Sequence, residues 1–217
     1  MNLNEAERLV RTKRRVADHG EVFTPPWMVE DMLSLIQEES ERIDSRVLEP
    51  ACGSGNFLMA VLARKFATVQ TRHGVSGFEK RNYALFALMC TYGIELLADN
   101  IQECRDNLAD LFNAFLDVSD QSEWAKAARV VLAFNIVQGN ALTMTDSSGL
   151  PITFAEWGYL GKGKFQRRDF CYENLTKRSM WKAEGSLFQD AAQDFFAPSK
   201  THPVMTVREI AEQVSTA

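Results

Sequence analysis

The segment that most constrains the fold is VLEPACGSGNF, residues 47–57, in which a short apolar run leads into a turn with two glycines. The apolar pattern after Asn56 predicts a helix directly behind this turn. A strand, a glycine-rich turn and a helix, in that order, form the cradle in which doubly wound α/β sheets hold a dinucleotide or nucleoside. Gly53 and Gly55 allow a tight turn and let a ligand approach the bare backbone. The N–H groups at the start of the helix favour an anionic group of that ligand.

The glycine turn differs from two common phosphate-binding motifs. It contains no lysine and no Gly-Lys-Ser/Thr follows it, which excludes a P-loop. It also lacks the third glycine of the Gly-x-Gly-x-x-Gly pattern, which disfavours a redox dinucleotide site.

Strands and helices alternate along most of the chain. Strands are predicted at residues 46–50, 92–96 and about 134–138, whereas RVVLA, residues 129–133, fits either a strand or the end of a helix. Helices are predicted at about residues 3–17, 24–40, 56–68, 80–90, 97–116 and 122–129. This alternation predicts an α/β fold with a doubly wound, mostly parallel sheet of Rossmann-like type.

The pattern changes after residue 145. Two strands joined by GKGK, residues 161–164, form a predicted hairpin. A final helix begins at Thr206, with Glu209 placed three residues on as in a capping box.

Composition excludes several classes of protein. The 217 residues suffice for one domain with appendages, and the net charge of −5 does not indicate a nucleic-acid binder, although residues 11–15 and 161–168 are basic. No apolar run reaches the roughly 18 residues that span a bilayer. The four cysteines are far apart and form no Cys-x-x-Cys pair, which predicts a reduced, metal-free, cytoplasmic protein.

Two polar residues lie at the ends of the second and third predicted strands. Glu95 ends the second strand, where a carboxylate can accept both hydroxyls of an adenosine ribose. Asn140 lies at the end of the third strand, at the rim of the same crevice.

Four segments together resemble a known family. EVFTPPWMVEDML, LEPACGSGNFL, YGIEL and GNAL are similar, in this order, to the S-adenosylmethionine-binding motifs of N6-adenine DNA methyltransferases, especially those of type I and fused restriction–modification systems. The resemblance covers about residues 18–145. It implies the class I S-adenosylmethionine-dependent methyltransferase fold, with S-adenosylmethionine as cofactor and DNA as partner.

The resemblance also implies the cofactor-binding residues. Those expected beside the methionine part are Phe23, Thr24 and Pro25, and those expected to form the floor beneath it are Glu49, Ala51, Gly53 and Gly55. Glu49 would accept from the ammonium group and Glu95 from the ribose. Asn140 would meet the adenine amino group, where the family more often has aspartate; we expect weaker binding from the amide.

The family's catalytic element, Asn/Asp-Pro-Pro-Tyr/Phe, has no counterpart here, because the only Pro-Pro pair is Pro25–Pro26. Three explanations stay open. AEWGY, residues 155–159, could replace the element with an acid and stacking aromatics. The chain could instead be a cofactor-binding half that works with another chain, or a degenerate relative.

The predicted organisation has three parts: a helical lead-in at residues 1–22, a methyltransferase-like domain at 23–160 and a C-terminal extension at 161–217. Nothing after residue 170 is large enough to read a DNA sequence, so we expect a specificity subunit or second chain as partner. Neither a membrane nor a metal is expected to take part.

Overall fold

The computed structural model describes Arg15, Ala17, residues 24–173 and residues 197–213. Arg15 and Ala17 are both helical, and the other residues of the predicted helix at 3–17 lie outside the described part of the chain.

The described residues form helices and strands close to those predicted. The helices are α1 (Pro26–Leu35), α2 (Gln37–Glu41), α3 (Asn56–His73), α4 (Gly77–Met89), α5 (Ala98–Leu116), α6 (Glu123–Asn135) and α7 (Val207–Ala211). The strands are β1 (Val47–Glu49), β2 (Thr91–Glu95), β3 (Ile136–Asn140), β4 (Thr145–Asp146), β5 (Thr153–Gly161), β6 (Lys164–Cys171) and β7 (Lys200–Thr206). None of these helices is both long enough and apolar enough to cross a membrane.

The first sheet is mostly parallel, as predicted. Its strand order is β1-β2-β3-β4, in which β1, β2 and β3 run parallel and β4 is antiparallel to β3. Glu49 pairs with Gly93, and Glu95 pairs with Gln138. The carboxyl ends of the three parallel strands therefore lie along one edge of the sheet, where open α/β sheets bind their ligands.

The described strands of this sheet do not include the switch point of a doubly wound arrangement. A doubly wound sheet reverses its strand order at a switch point. In the described residues β1, β2 and β3 follow one another in a single direction, so no reversal occurs among them. The structure thus confirms a mixed α/β fold with a mostly parallel sheet, and the doubly wound arrangement stays a prediction.

The two faces of β2 contact different layers. A Cβ atom added at Gly93 would meet the side chains of Cys52 and Leu58 from the glycine loop and α3. Tyr92 and Ile94 belong instead to a cluster with Ile152 and Phe154, which lie beside and within β5. Helices cover one face, and the start of the second sheet covers the other.

The larger differences from the sequence prediction concern the helix predicted at 24–40, the start of the third strand, and α3, which continues beyond residue 68 to His73. The helix predicted at 24–40 is divided, because Ile36 leaves the helical region with φ −121°. Residues 129–133 belong to α6, which Ser122 caps by accepting from the N–H of Ala125. The third strand consequently starts at Ile136, two residues later than predicted.

The second sheet is antiparallel, with the order β5-β6-β7. The hairpin predicted at residues 161–164 is confirmed, and all three residues of the turn before Lys164 have positive φ angles. Trp157 of β5 is fully buried, and its Nε1–H donates to Oδ1 of Asn135 at 3.1 Å. The amide of Asn135 donates in turn to the carbonyls of Met89 and Thr91, which fastens this sheet to the parallel one.

The terminal helix α7 is also confirmed. Thr206 and Glu209 form the predicted capping box, in which each side chain bonds the other's backbone N–H. Val207 and Ile210 bury the helix against the main core.

Candidate functional site

The glycine loop between β1 and α3 has the tight turn that its composition predicts. Gly53 and Gly55 have φ angles of 53° and 93°, in the region that favours glycine. The N–H of Gly55 donates to the carbonyl of Cys52 at 2.8 Å, and the N–H of Cys52 donates to the carbonyl of Ile94 at 3.0 Å. The loop is therefore held against the end of β2.

Position 55 requires glycine for steric reasons as well as for its backbone conformation. A Cβ atom there would lie 2.8 Å from Sγ of Cys104 on α5, closer than real Cβ contacts. Cys52 packs beneath the loop, and its hydrogen bond with Cys104, together with burial, raises the pKa of its thiol well above the ordinary range. The buried cysteines thus act as small packing residues under the loop.

Glu95 joins the end of β2 to the glycine loop. Its carboxylate is nearly buried, with the residue 9% exposed. Oε2 accepts from the N–H of Gly53 at 2.9 Å, and Oε1 accepts from the N–H of Leu97 at 3.0 Å. Each carboxylate oxygen has a further lone pair available for a ligand hydroxyl. Gly53 and Glu95, which the sequence predicts to be part of one site, are thus in direct contact.

The start of α3 offers free donors to a ligand. Its N-cap residue is Gly55, which has no side chain to accept from the first N–H groups of the helix. Asn107 of α5 donates to the carbonyl of Ser54 at 3.0 Å and so fixes the loop from the far side. This helix of 18 residues supplies a positive partial charge at the loop.

A cavity of about 140 Å³ lies in front of the loop. It is lined by Thr24, Met32, Glu49, Ala51, Cys52, Gly53, Ser54, Asn56 and Phe57. Ligand pockets commonly enclose about 300–1,000 Å³, so this cavity holds only one end of a nucleoside ligand.

Most of the predicted residues lie at or next to this cavity. Thr24, Glu49, Ala51 and Gly53 line it. Pro25 lies next to Thr24 and starts α1 by accepting from the N–H groups of Met28 and Val29, at 3.0 and 3.1 Å. Phe23 lies outside the described residues.

Glu49 is the acidic group of the cavity. Burial raises the pKa of its carboxyl, and one oxygen accepts from the N–H of Ala51 at 3.3 Å. A carboxylate in this environment gains from a cationic partner, because such a partner offsets the cost of its partial burial.

Asn140 ends β3 along the same edge of the sheet, but its amide is engaged in its own turn. Oδ1 accepts from the N–H groups of Leu142 and Thr143, at 2.9 and 3.4 Å. The group of this amide that stays available to a ligand is thus Nδ2, a donor. An adenine amino group also donates and therefore needs an acceptor, which Nδ2 does not provide.

The AEWGY segment does not resemble a base-stacking site. Trp157 is completely buried, and its N–H is bound to Asn135. Glu156 forms ion pairs with Arg46 at 2.8 Å and Arg168 at 2.5 Å. Arg46 directly precedes β1, at the opposite end of that strand from the glycine loop. The alternation of aromatic residues reflects packing of the second sheet.

Three further residues shape the site without a signal in the sequence. Met32 and Phe57 lie within the helices predicted at 24–40 and 56–68, where nothing marks them as site residues, yet both line the cavity. Cys104 lies on α5, and its contact with the glycine loop depends on how that helix packs. No cluster of metal-ligating side chains occurs among the described residues.

One comparison with known proteins, that with protein-family models, found a match. Residues 9–109 match the model of a protein family described as N-6 DNA Methylase. No curated protein and no solved structure matches the chain. The matched residues include β1, the glycine loop, β2 with Glu95, and the first part of α5. Residues 9–109, a little less than half of the 217 residues, are therefore similar in sequence to the N-6 DNA methylases.

Proposed function

We propose that this chain binds S-adenosylmethionine at the carboxyl edge of its parallel sheet and serves adenine-N6 methylation of DNA, in a restriction–modification setting. The observation that carries the proposal is the contact between Glu95 and Gly53 at 2.9 Å. It joins an acid suited to a ribose to the glycine turn of a nucleoside cradle, in a segment that matches the N-6 DNA methylases.

The residues of the site fit this cofactor. The ribose hydroxyls would donate to the remaining lone pairs of Glu95. The methionine part would occupy the cavity beside Thr24 and Phe57, with its ammonium group next to Glu49. Its carboxylate would lie near the open N-terminus of α3, where free N–H groups and the helix dipole favour an anion.

The bound cofactor supplies an electrophilic methyl group on a sulfonium sulfur. The chain's own residues would bind and orient the molecule, and the apolar walls at Met32 and Phe57 would limit the access of water to the sulfonium end. Glu49 would hold the ammonium group and so fix the position of the methionine arm. These roles are those of a cofactor-binding component.

We propose further that the groups acting on the target base come from outside these 217 residues. No Asn-Pro-Pro-aromatic element occurs in the sequence, and the side chains of Glu156 and Trp157 are engaged in ion pairs and packing. A second polypeptide with the catalytic loop and the means of reading DNA would complete the enzyme. The missing Asn-Pro-Pro-aromatic element also favours a second candidate function, that of a non-catalytic regulator that binds the cofactor.

Calorimetric titration with S-adenosylmethionine tests the proposal. We expect micromolar binding by the native chain, equivalent to about −8 kcal/mol, and weaker binding of NAD. Glu95→Gln should weaken binding at least tenfold. The substitution replaces one carboxylate oxygen by an NH₂ group, so that the N–H of Gly53 or of Leu97 loses its acceptor.

Glu123→Gln is the matched control. Glu123 is an exposed acid in the first turn of α6, so its substitution changes the same charge away from the site. Equal affinities for the native protein and Glu95→Gln would contradict the assignment. If binding is confirmed, transfer of a labelled methyl group to DNA by the chain alone would refute the need for a second polypeptide.

A further inference from the structure

Arg15 is bound to the first turn of α5 by three hydrogen bonds. Nη1 donates to Oδ2 of Asp99 at 2.5 Å, and Nη2 donates to Oδ1 of the same carboxylate at 3.2 Å. Nη2 also donates to Oδ1 of Asn100 at 3.3 Å. The pair of parallel bonds to one carboxylate is the fork geometry that makes arginine–carboxylate contacts strong and directional. This contact joins residues that are 84 positions apart.

The turn that binds Arg15 also holds the candidate ribose ligand. The N–H of Leu97, the N-cap residue of α5, donates to Oε1 of Glu95. The carbonyl of Leu97 accepts from the N–H of Ile101 at 3.1 Å, which closes the first turn around Asp99. A displacement of this turn would therefore move the hydrogen-bond partner of Glu95.

We propose that Arg15 is a positioning residue for the cofactor site. Its bridge to Asp99 holds the first turn of α5, and with it the N–H of Leu97 that donates to Glu95, so that the ribose end of the site is ordered before the ligand arrives. Arg15 itself touches no ligand in this role. The inference rests on the proposed function, because it concerns affinity for S-adenosylmethionine.

The test combines calorimetry with a double-mutant cycle on Arg15→Gln and Asp99→Asn. We expect each single variant to bind S-adenosylmethionine about fivefold more weakly than the native chain, in line with a partly exposed bidentate pair. The double variant should bind no more weakly than either single variant, because both substitutions remove the same contact. Arg15→Lys should fall between the native chain and Arg15→Gln, since it keeps the charge but loses the fork.

Arg208→Gln is the control, because it breaks an exposed ion pair between Arg208 of α7 and Glu212 at the end of that helix, and it should leave affinity unchanged. Thermal unfolding of every variant separates positioning from general stability. A lower melting temperature with unchanged affinity would overturn the inference, as would additive losses in the double variant. Absence of binding by the native chain would instead refute the proposed function, and the inference with it.

Discussion

Substitution of Gly55 by alanine should destabilise the protein through two separable effects. The φ angle of 93° is one that L-residues rarely adopt, at a cost of about 1–2 kcal/mol. The new methyl group would also lie 2.8 Å from Sγ of Cys104, and relieving such an overlap in a packed interior costs about 1–3 kcal/mol. We therefore expect a loss of about 2–5 kcal/mol in the free energy of unfolding, measured by urea denaturation.

Two variants separate these effects. Gly149 has a φ angle of 80° and no atom within 4 Å of an added Cβ, so Gly149→Ala reports the backbone cost alone. Cys104→Ala removes the overlapping sulfur, and in the double variant with Gly55→Ala it should recover about 1–3 kcal/mol as coupling energy. Equal losses for Gly55→Ala and Gly149→Ala, with no coupling to Cys104, would refute this explanation of the loop.

Three other substitutions test separate parts of the account. Burial lowers the pKa of Lys65 to about 8, so between pH 8 and 10.5 the unfolded chain binds more protons than the folded one. As the pH rises through this window, the free energy of unfolding of the native protein should increase by up to about 3 kcal/mol relative to that of Lys65→Met, measured by urea denaturation at each pH. Trp157→Phe leaves Oδ1 of Asn135 buried and unpaired, which should lower the free energy of unfolding by about 1–3 kcal/mol in the same assay. Asn140→Asp keeps one oxygen in the turn and presents a second as an acceptor, so calorimetry should find S-adenosylmethionine bound about fivefold more tightly.

Features that depend on local chemistry could be predicted from the sequence. The glycine turn behind β1 follows from an apolar run that ends at Pro50 and two nearby glycines. The capping box at Thr206 follows from two residues three positions apart. Each of these predictions needs only neighbouring residues, since the backbone conformation is set by turn and cap chemistry.

Features that depend on packing could not be predicted in the same way. Residues 129–133 were ambiguous, because their valines suit strands, and the burial of Ala128 and Leu132 on one side of α6 resolves the choice. Trp157 fits a stacking residue in the sequence, yet its partner Asn135 is decided by how the two sheets pack.

The residues of the candidate site also include some that a local pattern predicts and some contacts that only packing creates. Glu95 could be proposed as a ribose ligand from its place after a strand, but its bond to Gly53 bridges 42 positions of the chain. The bridge between Arg15 and Asp99 and the contact of Cys104 with the glycine loop depend likewise on the position of α5. Such contacts carry no local signature because they arise only when distant elements meet.

The most direct test of the central claim is a crystal structure of the chain with S-adenosylhomocysteine. The account predicts both ribose hydroxyls within about 3 Å of the Glu95 carboxylate, with the amino-acid end in the cavity beside Thr24 and Glu49. A ligand bound elsewhere, or a crevice in which Glu95 contacts only Gly53 and Leu97 at saturating ligand, would contradict it.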